Sequence, residues 1–166
     1  MFRWFESLIP VFPPVDGRMP PRKVLPFYLH YLRPVWPVLL ATLIAGLLLA
    51  LVEVAMFDFL GRIVDMVAEQ PGAGFFQRHA NELLWMVVIT VLLRPVLVGL
   101  HNLLVNQAIV PGLSNRSRWL MHNYVVRQSL NFSQNDFAGS VANRVMQTGT
   151  SLRESAVQMV DSLWYI

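Results

Sequence analysis

Arg94 carries the chemistry most in need of an account. It lies inside the apolar run from Leu83 to Val110 and is followed at once by Pro95. His101 stands seven residues on, which puts it on the same helix face, and Asn102 and Asn106 are close by. A charge at that depth in an apolar helix costs several kcal/mol unless it meets a cavity or a partner. Two arrangements answer that cost. Either Arg94, His101 and Asn102 line a polar path between helices, or Arg94 pairs with a carboxylate on a neighbouring helix or sits nearer the outer interface. Metal binding is not expected, because no second His or carboxylate stands at ligand spacing from His101 and the chain has no cysteine.

Phosphate-transfer chemistry is not expected either. A phosphate-cradling loop needs G-x-x-x-x-G-K-[ST]. Lys23 is the only lysine here, and Arg22 precedes it. The chain as given is therefore expected to be no enzyme and to hold no cofactor.

The most specific polar stretch runs from Arg127 to Glu154, RQSLNFSQNDFAGSVANRVMQTGTSLRE. It predicts a helix end, then a hairpin over about 131–144 made of a tight polar turn with Gly139 and a short amphipathic helix, and then a new helix from about 148 to 166. Such a hairpin presents a small helix to a partner. Phe132, Phe137 and Val141 would seat in a groove, with Asn135, Asp136 and Arg144 around them. A solvated loop is the bland alternative; two large apolar side chains at a turn weigh against it.

The elements that must position these residues are apolar. Pro34 to Val52, PVWPVLLATLIAGLLLALV, holds no charge at all. A helix rises about 1.5 Å per residue and a bilayer's hydrocarbon core is about 30 Å thick, so roughly 20 apolar residues span it. Both apolar runs reach that length. Only 14% of the chain is charged and 55% is hydrophobic, against about 25% charged in soluble domains. A soluble bundle is a poor reading of such a chain. The expected fold class is an all-α membrane protein. A first span is expected at about 35–57 and a second at about 82–110, continuing into the cytoplasm, with Asn81 as a possible N-cap. Ala41, Ala45, Gly46 and Ala50 place small residues four apart, which suits either a dimer contact or ordinary helix packing.

Arg22 to Arg33, RKVLPFYLHYLR, is a basic and aromatic "elbow" ahead of the first span, broken from it by Pro34 and Pro37. Residues 1–21 are expected to be a flexible tail; Met1 to Leu8 alternatively forms an interfacial segment. Five basic residues (Arg3, Arg18, Arg22, Lys23, Arg33) precede the first span, and Arg116, Arg118, Arg127, Arg144 and Arg153 follow the second. Only Arg62 and Arg78 lie between, among Glu53, Asp58, Asp65, Glu69 and Glu82. Basic flanks belong in the cytoplasm, so the N-terminus is expected inside and the acidic loop outside. That placement makes the sequons at Asn115 and Asn131 incidental. The run Ser155 to Ile166 stops in a rising apolar pattern without a cap, from which a longer parent chain is expected.

This order of elbow, two long spans and cytoplasmic hairpin resembles the transmembrane domain of ATP-binding cassette (ABC) exporters of the lipid and multidrug type. The first intracellular loop of that family carries an aromatic, a glycine seven residues later, a small-apolar pair and an arginine; Phe132, Gly139, Val141, Ala142 and Arg144 stand at that spacing. Ser133, Gln134 and Thr148 depart from the pattern and mark a divergent subfamily. The resemblance covers about 22–166. It implies a six-helix domain of which this chain holds the first part. Phe132, Asn135, Asp136, Phe137, Gly139 and Arg144 would form the first coupling helix, docking on a nucleotide-binding domain. ATP and magnesium would belong to that missing domain. The implied partners are the lipid bilayer, that domain and a second transmembrane domain in a homo- or heterodimer, with no nucleic acid. The implied location is a bacterial inner membrane, multi-pass. The other reading is an integral membrane anchor or assembly protein with a docking hairpin.

Overall fold

The computed structural model describes residues 3–14, 21, 23–69, 75–128 and 138–163. All regular structure among them is helical. The helices are α1 (Arg3–Ser7), α2 (Val24–Leu32), α3 (Trp36–Glu69), α4 (Phe75–Arg78), α5 (Ala80–Val126) and α6 (Ala138–Ser162). Packing divides the chain into two compact units, Ile44–His101 and the rest, Met1–Leu43 with Asn102–Ile166.

Both long helices outrun a bilayer. The expected first span ends near 57, yet α3 continues to Glu69. Nothing between Phe57 and Glu69 breaks a helix, and Arg62 Nε donates to Asp58 Oδ2 at 2.7 Å one turn back, so the helix extends through its polar end. Both helices are long and apolar enough to cross a membrane. Only 33% of the most apolar stretch of the first and 11% of that of the second is buried inside the protein. In the Ile44–His101 unit, Val54, Phe57, Leu60, Leu84, Trp85 and Val96 all point outward, Phe57 with 77% of its surface exposed. Apolar surface left in water costs about 25 cal/mol per Å². A face of this size is stable only in hydrocarbon, or covered by another protein surface.

The helix α5 runs on where proline is expected to stop it. It begins at Ala80, just ahead of Asn81, and the Leu83 N–H donates to the His79 carbonyl at 2.9 Å. It then passes through Pro95 and Pro111. Each proline follows a π turn, Ile89–Leu93 and Leu104–Ile109. A helical proline clashes with the carbonyl four residues back, here Val91 and Gln107. Both fall inside the widened turns, where an i→i−5 register relieves the clash. Pro34 is accommodated differently. It lies in a 3-10 turn, Arg33–Val35, so α2 joins α3 through helical backbone rather than a full break.

The other unit has a continuous core. Tyr31, Val35, Val38 and Leu39 from α2 and the start of α3 meet Ile109 and Leu113 of α5 and Leu152, Ala156 and Val160 of α6. The fourfold spacing along α6 keeps one stripe inward. Small groups bring α5 and α6 close: Ser114 and Ser117 are buried, and a Cβ on Gly149 would lie 3.0 Å from Arg118 Cγ. Arg118 Nη2 donates to Thr150 Oγ1 at 3.1 Å across that contact.

Residues 3–14 pack onto the same unit rather than forming a free tail. Ile9 is only 2% exposed and joins the core. Arg116 Nη1 donates to the Pro10 carbonyl at 2.7 Å, and Phe12 meets Trp119 edge-to-face at 5.1 Å. Gly112 makes the seat, since a Cβ there would lie 2.8 Å from Ile9 Cβ. The prediction is that Gly112→Ala costs about 1–3 kcal/mol through overpacking. Removing the opposing side chain with Ile9→Gly should shrink that increment toward zero. Unfolding of the single and double variants in detergent checks it; an increment unchanged without the Ile9 side chain refutes the contact.

Candidate functional site

Arg94 meets a carboxylate on the other long helix. Its Nη2 lies 3.6 Å from Glu53 Oε1, with side chains 43% and 50% exposed respectively. The π turn Ile89–Leu93 and Pro95 flank Arg94 immediately, so its aim depends on a locally widened helix. At 3.6 Å the pair is an electrostatic contact rather than a tight hydrogen bond. Arg94 Nε is buried with no hydrogen-bond partner. The site is thus a partly satisfied ion pair with donors to spare, and it opens outward. His101, two turns on, is half-buried; Asn102 is exposed and belongs to the other compact unit.

The hairpin is described only from its far side. Phe132, Asn135, Asp136 and Phe137 lie outside the described residues. Gly139 and Arg144 are exposed on the first turns of α6. There the structure differs from the expected hairpin ending near 144 with a separate helix from about 148. The helix α6 runs unbroken from Ala138 past Thr148. The Thr148 hydroxyl donates to the Arg144 carbonyl at 2.7 Å, a bond made inside a helix rather than one that caps a new helix.

Sequence reasoning missed a third feature, between the elbow and α6. Lys23, Phe27 and Tyr28 on one side and Arg144, Thr148 and Ser151 on the other line a hollow of about 430 Å³. Further along, where α6 faces the end of the elbow and the start of α3, a hollow of about 650 Å³ is lined by apolar side chains including Leu32, Trp36, Leu43, Met159 and Leu163, with Arg33 among them. Between the two, Tyr28 Oη and Ser155 Oγ share a hydrogen bond of 3.3 Å. Lys23 and Arg144 are far apart in the chain, and the basic flanks were the only signal that they share a membrane face.

The ion pair is testable. Glu53→Gln leaves Arg94 charged and unpaired among apolar helices, and should destabilise the protein by about 1–3 kcal/mol. Adding Arg94→Gln removes the stranded charge and should recover most of that loss. Detergent-denaturant titration of the three proteins is the measurement. Equal stability of the single and double variants would show that the pair carries no coupling.

No family model matches the chain, and no solved structure matches it. A protein of Haemophilus influenzae described as an uncharacterized ABC transporter ATP-binding protein is 27% identical over 169 residues. The match covers 100% of this chain and 27% of that protein, so the chain spans about a quarter of the relative's length. The likeness is to an ABC transporter component, carried by an all-helical chain with two helices able to cross a membrane.

Proposed function

We propose that this chain is the N-terminal membrane-spanning part of an ATP-driven ABC exporter, forming part of the substrate pathway and carrying the first coupling helix. The observation that carries the reading is the likeness to an ABC transporter protein along the whole chain. It fits a sequence with two membrane-capable helices, an elbow ahead of them and the Phe132–Gly139–Arg144 spacing beyond them.

The mechanics follow from length. The helix α5 holds 47 residues, against the roughly 20 that cross a hydrocarbon core. A helix that continues past its membrane-crossing part can act as a lever. A push at its cytoplasmic end becomes a displacement at membrane depth, which is what alternating access by rigid-body motion requires. The hairpin residues Phe132, Asn135, Asp136, Phe137, Gly139 and Arg144 would receive that push from a nucleotide-binding domain. ATP and magnesium would bind in that domain, because this sequence holds no phosphate loop. Within the membrane, Glu53 and Arg94 would offer a polar site to an amphipathic or lipid-like substrate. A second transmembrane domain would complete the pathway from the other side.

A thiol at Gly139 tests the coupling role, since the chain has no cysteine of its own. Gly139→Cys, treated in native membranes with a short thiol-to-amine crosslinker, should capture a polypeptide segment containing G-x-x-x-x-G-K-[ST]. The yield should change when a non-hydrolysable ATP analogue is added. Capture of a partner with no phosphate loop, unaffected by nucleotide, would favour an anchor or assembly role instead.

A further inference from the structure

We infer that the hollow between the start of the elbow and the first turns of α6 binds the phosphate of an anionic phospholipid, with Lys23 and Arg144 as its paired cations. The inference rests on the membrane-spanning reading, and on no nucleotide-binding partner.

Charge is the first argument. Lys23 and Arg144 line one hollow of about 430 Å³, and none of its lining residues is acidic. Two like charges facing one space repel, and an anion between them removes the repulsion and adds two attractions. Lys supplies a compact ammonium and Arg a planar fork suited to phosphate oxygens. Thr148, Ser151 and Tyr28 add hydroxyls to the same wall.

Polarity order is the second argument, and it selects a lipid over a soluble phosphate. The elbow, running on into the start of α3, lies alongside α6, with Lys23–Tyr28 facing Arg144–Leu152 and Leu29–Leu43 facing Ala156–Leu163. The same helix pair is therefore basic and hydroxyl-bearing at one end and apolar at the other, where the hollow of about 650 Å³ lies. From Thr148 to Met159 is about 16 Å along a helix, comparable to the depth of one leaflet's acyl region. An amphiphile with a charged head and a hydrocarbon tail matches both ends; inorganic phosphate matches only one. Arg33 and the 63% exposed Trp36 are among the residues lining the apolar hollow, and both are residue types that settle at the headgroup boundary. An anionic headgroup is favoured over a zwitterionic one because the hollow brings positive charge and no negative charge of its own.

Native mass spectrometry of the purified chain from mixed micelles tests this, with phosphatidylglycerol and phosphatidylcholine offered in equal amounts. Phosphatidylglycerol should be retained in preference. Each basic side chain near an anionic lipid contributes about one kcal/mol, so Lys23→Gln with Arg144→Gln should lower that retention roughly thirtyfold. Lys23→Arg should preserve it. Arg3→Gln with Arg127→Gln removes the same charge elsewhere and should leave retention unchanged. Circular dichroism of each variant confirms that the helices persist. Equal loss in the Arg3 and Arg127 control, or full retention in the Lys23 and Arg144 variant with helices intact, overturns the site. Displacement of the lipid by millimolar inorganic phosphate overturns the lipid assignment. None of these outcomes is read through nucleotide, so none of them depends on the exporter reading.

Discussion

Everything else in this chain depends on keeping backbone hydrogen bonds closed where no water can replace them. The apolar faces of α3 and α5 point outward, so their surroundings are hydrocarbon or another protein. In hydrocarbon each unmade N–H or C=O bond costs several kcal/mol, which leaves an unbroken helix as the available form. The two prolines in α5 test that constraint hardest. Neither ends the helix. Each is preceded by a π turn that holds the carbonyl the proline ring would strike, so the irregularity is absorbed within the helix. Pro34 is absorbed in a 3-10 turn by the same logic. Widened turns are also where a helix can aim a side chain off its regular register, and Arg94 follows one directly.

Charge obeys the same constraint with less tolerance. Among the described residues, the ion pairs differ in what surrounds them. Asp58 with Arg62 is an exposed i,i+4 pair at 2.7 Å, beyond the most apolar part of α3, and contributes little. Glu53 with Arg94 joins two different helices at a longer 3.6 Å. Its value lies less in the attraction than in the cost of either charge without the other. A pair this open is also adaptable, since the Arg94 fork has donors that Glu53 does not occupy.

The spans were legible because hydrocarbon thickness sets a length that composition alone reveals. Their ends were not. Without a bilayer edge written into the sequence, α3 ran past Phe57 with an i,i+4 ion pair on its polar end, and α6 began at Ala138 rather than near 148. That Arg94 faces a carboxylate was one of two readings open from its burial cost, but periodicity could not choose Glu53 among five acidic residues. The packing of Ile9 on Gly112 was invisible for another reason. A glycine that admits a side chain from a distant segment looks, in sequence, like any glycine near a proline. Lys23 and Arg144 shared the same fate. Each had been assigned a local role, at a headgroup or in a hairpin, and only tertiary packing brings them to one wall. Of the residues that carry the family resemblance, Phe132 lies outside the described residues, as do Asn135, Asp136 and Phe137, while Gly139, Val141, Ala142 and Arg144 stand on α6.

Arg144 is where the proposed roles converge, and one guanidinium can serve both because of where it sits. It lies in the second turn of α6, on the polar side of the Tyr28–Ser155 contact that ties the elbow to that helix. An anion held between Lys23 and Arg144 would resist separation of the elbow from α6, since parting them would strand two cations. A docking partner pulling on the hairpin would act on the same turns of the same helix. The anionic lipid would then set how stiffly α6 is held to the membrane surface while the hairpin is pushed. A lever transmits motion only if its fulcrum is firm, and among the described residues the elbow, fixed to α3 through a 3-10 turn and to α6 through its core, is the element built to be that fulcrum.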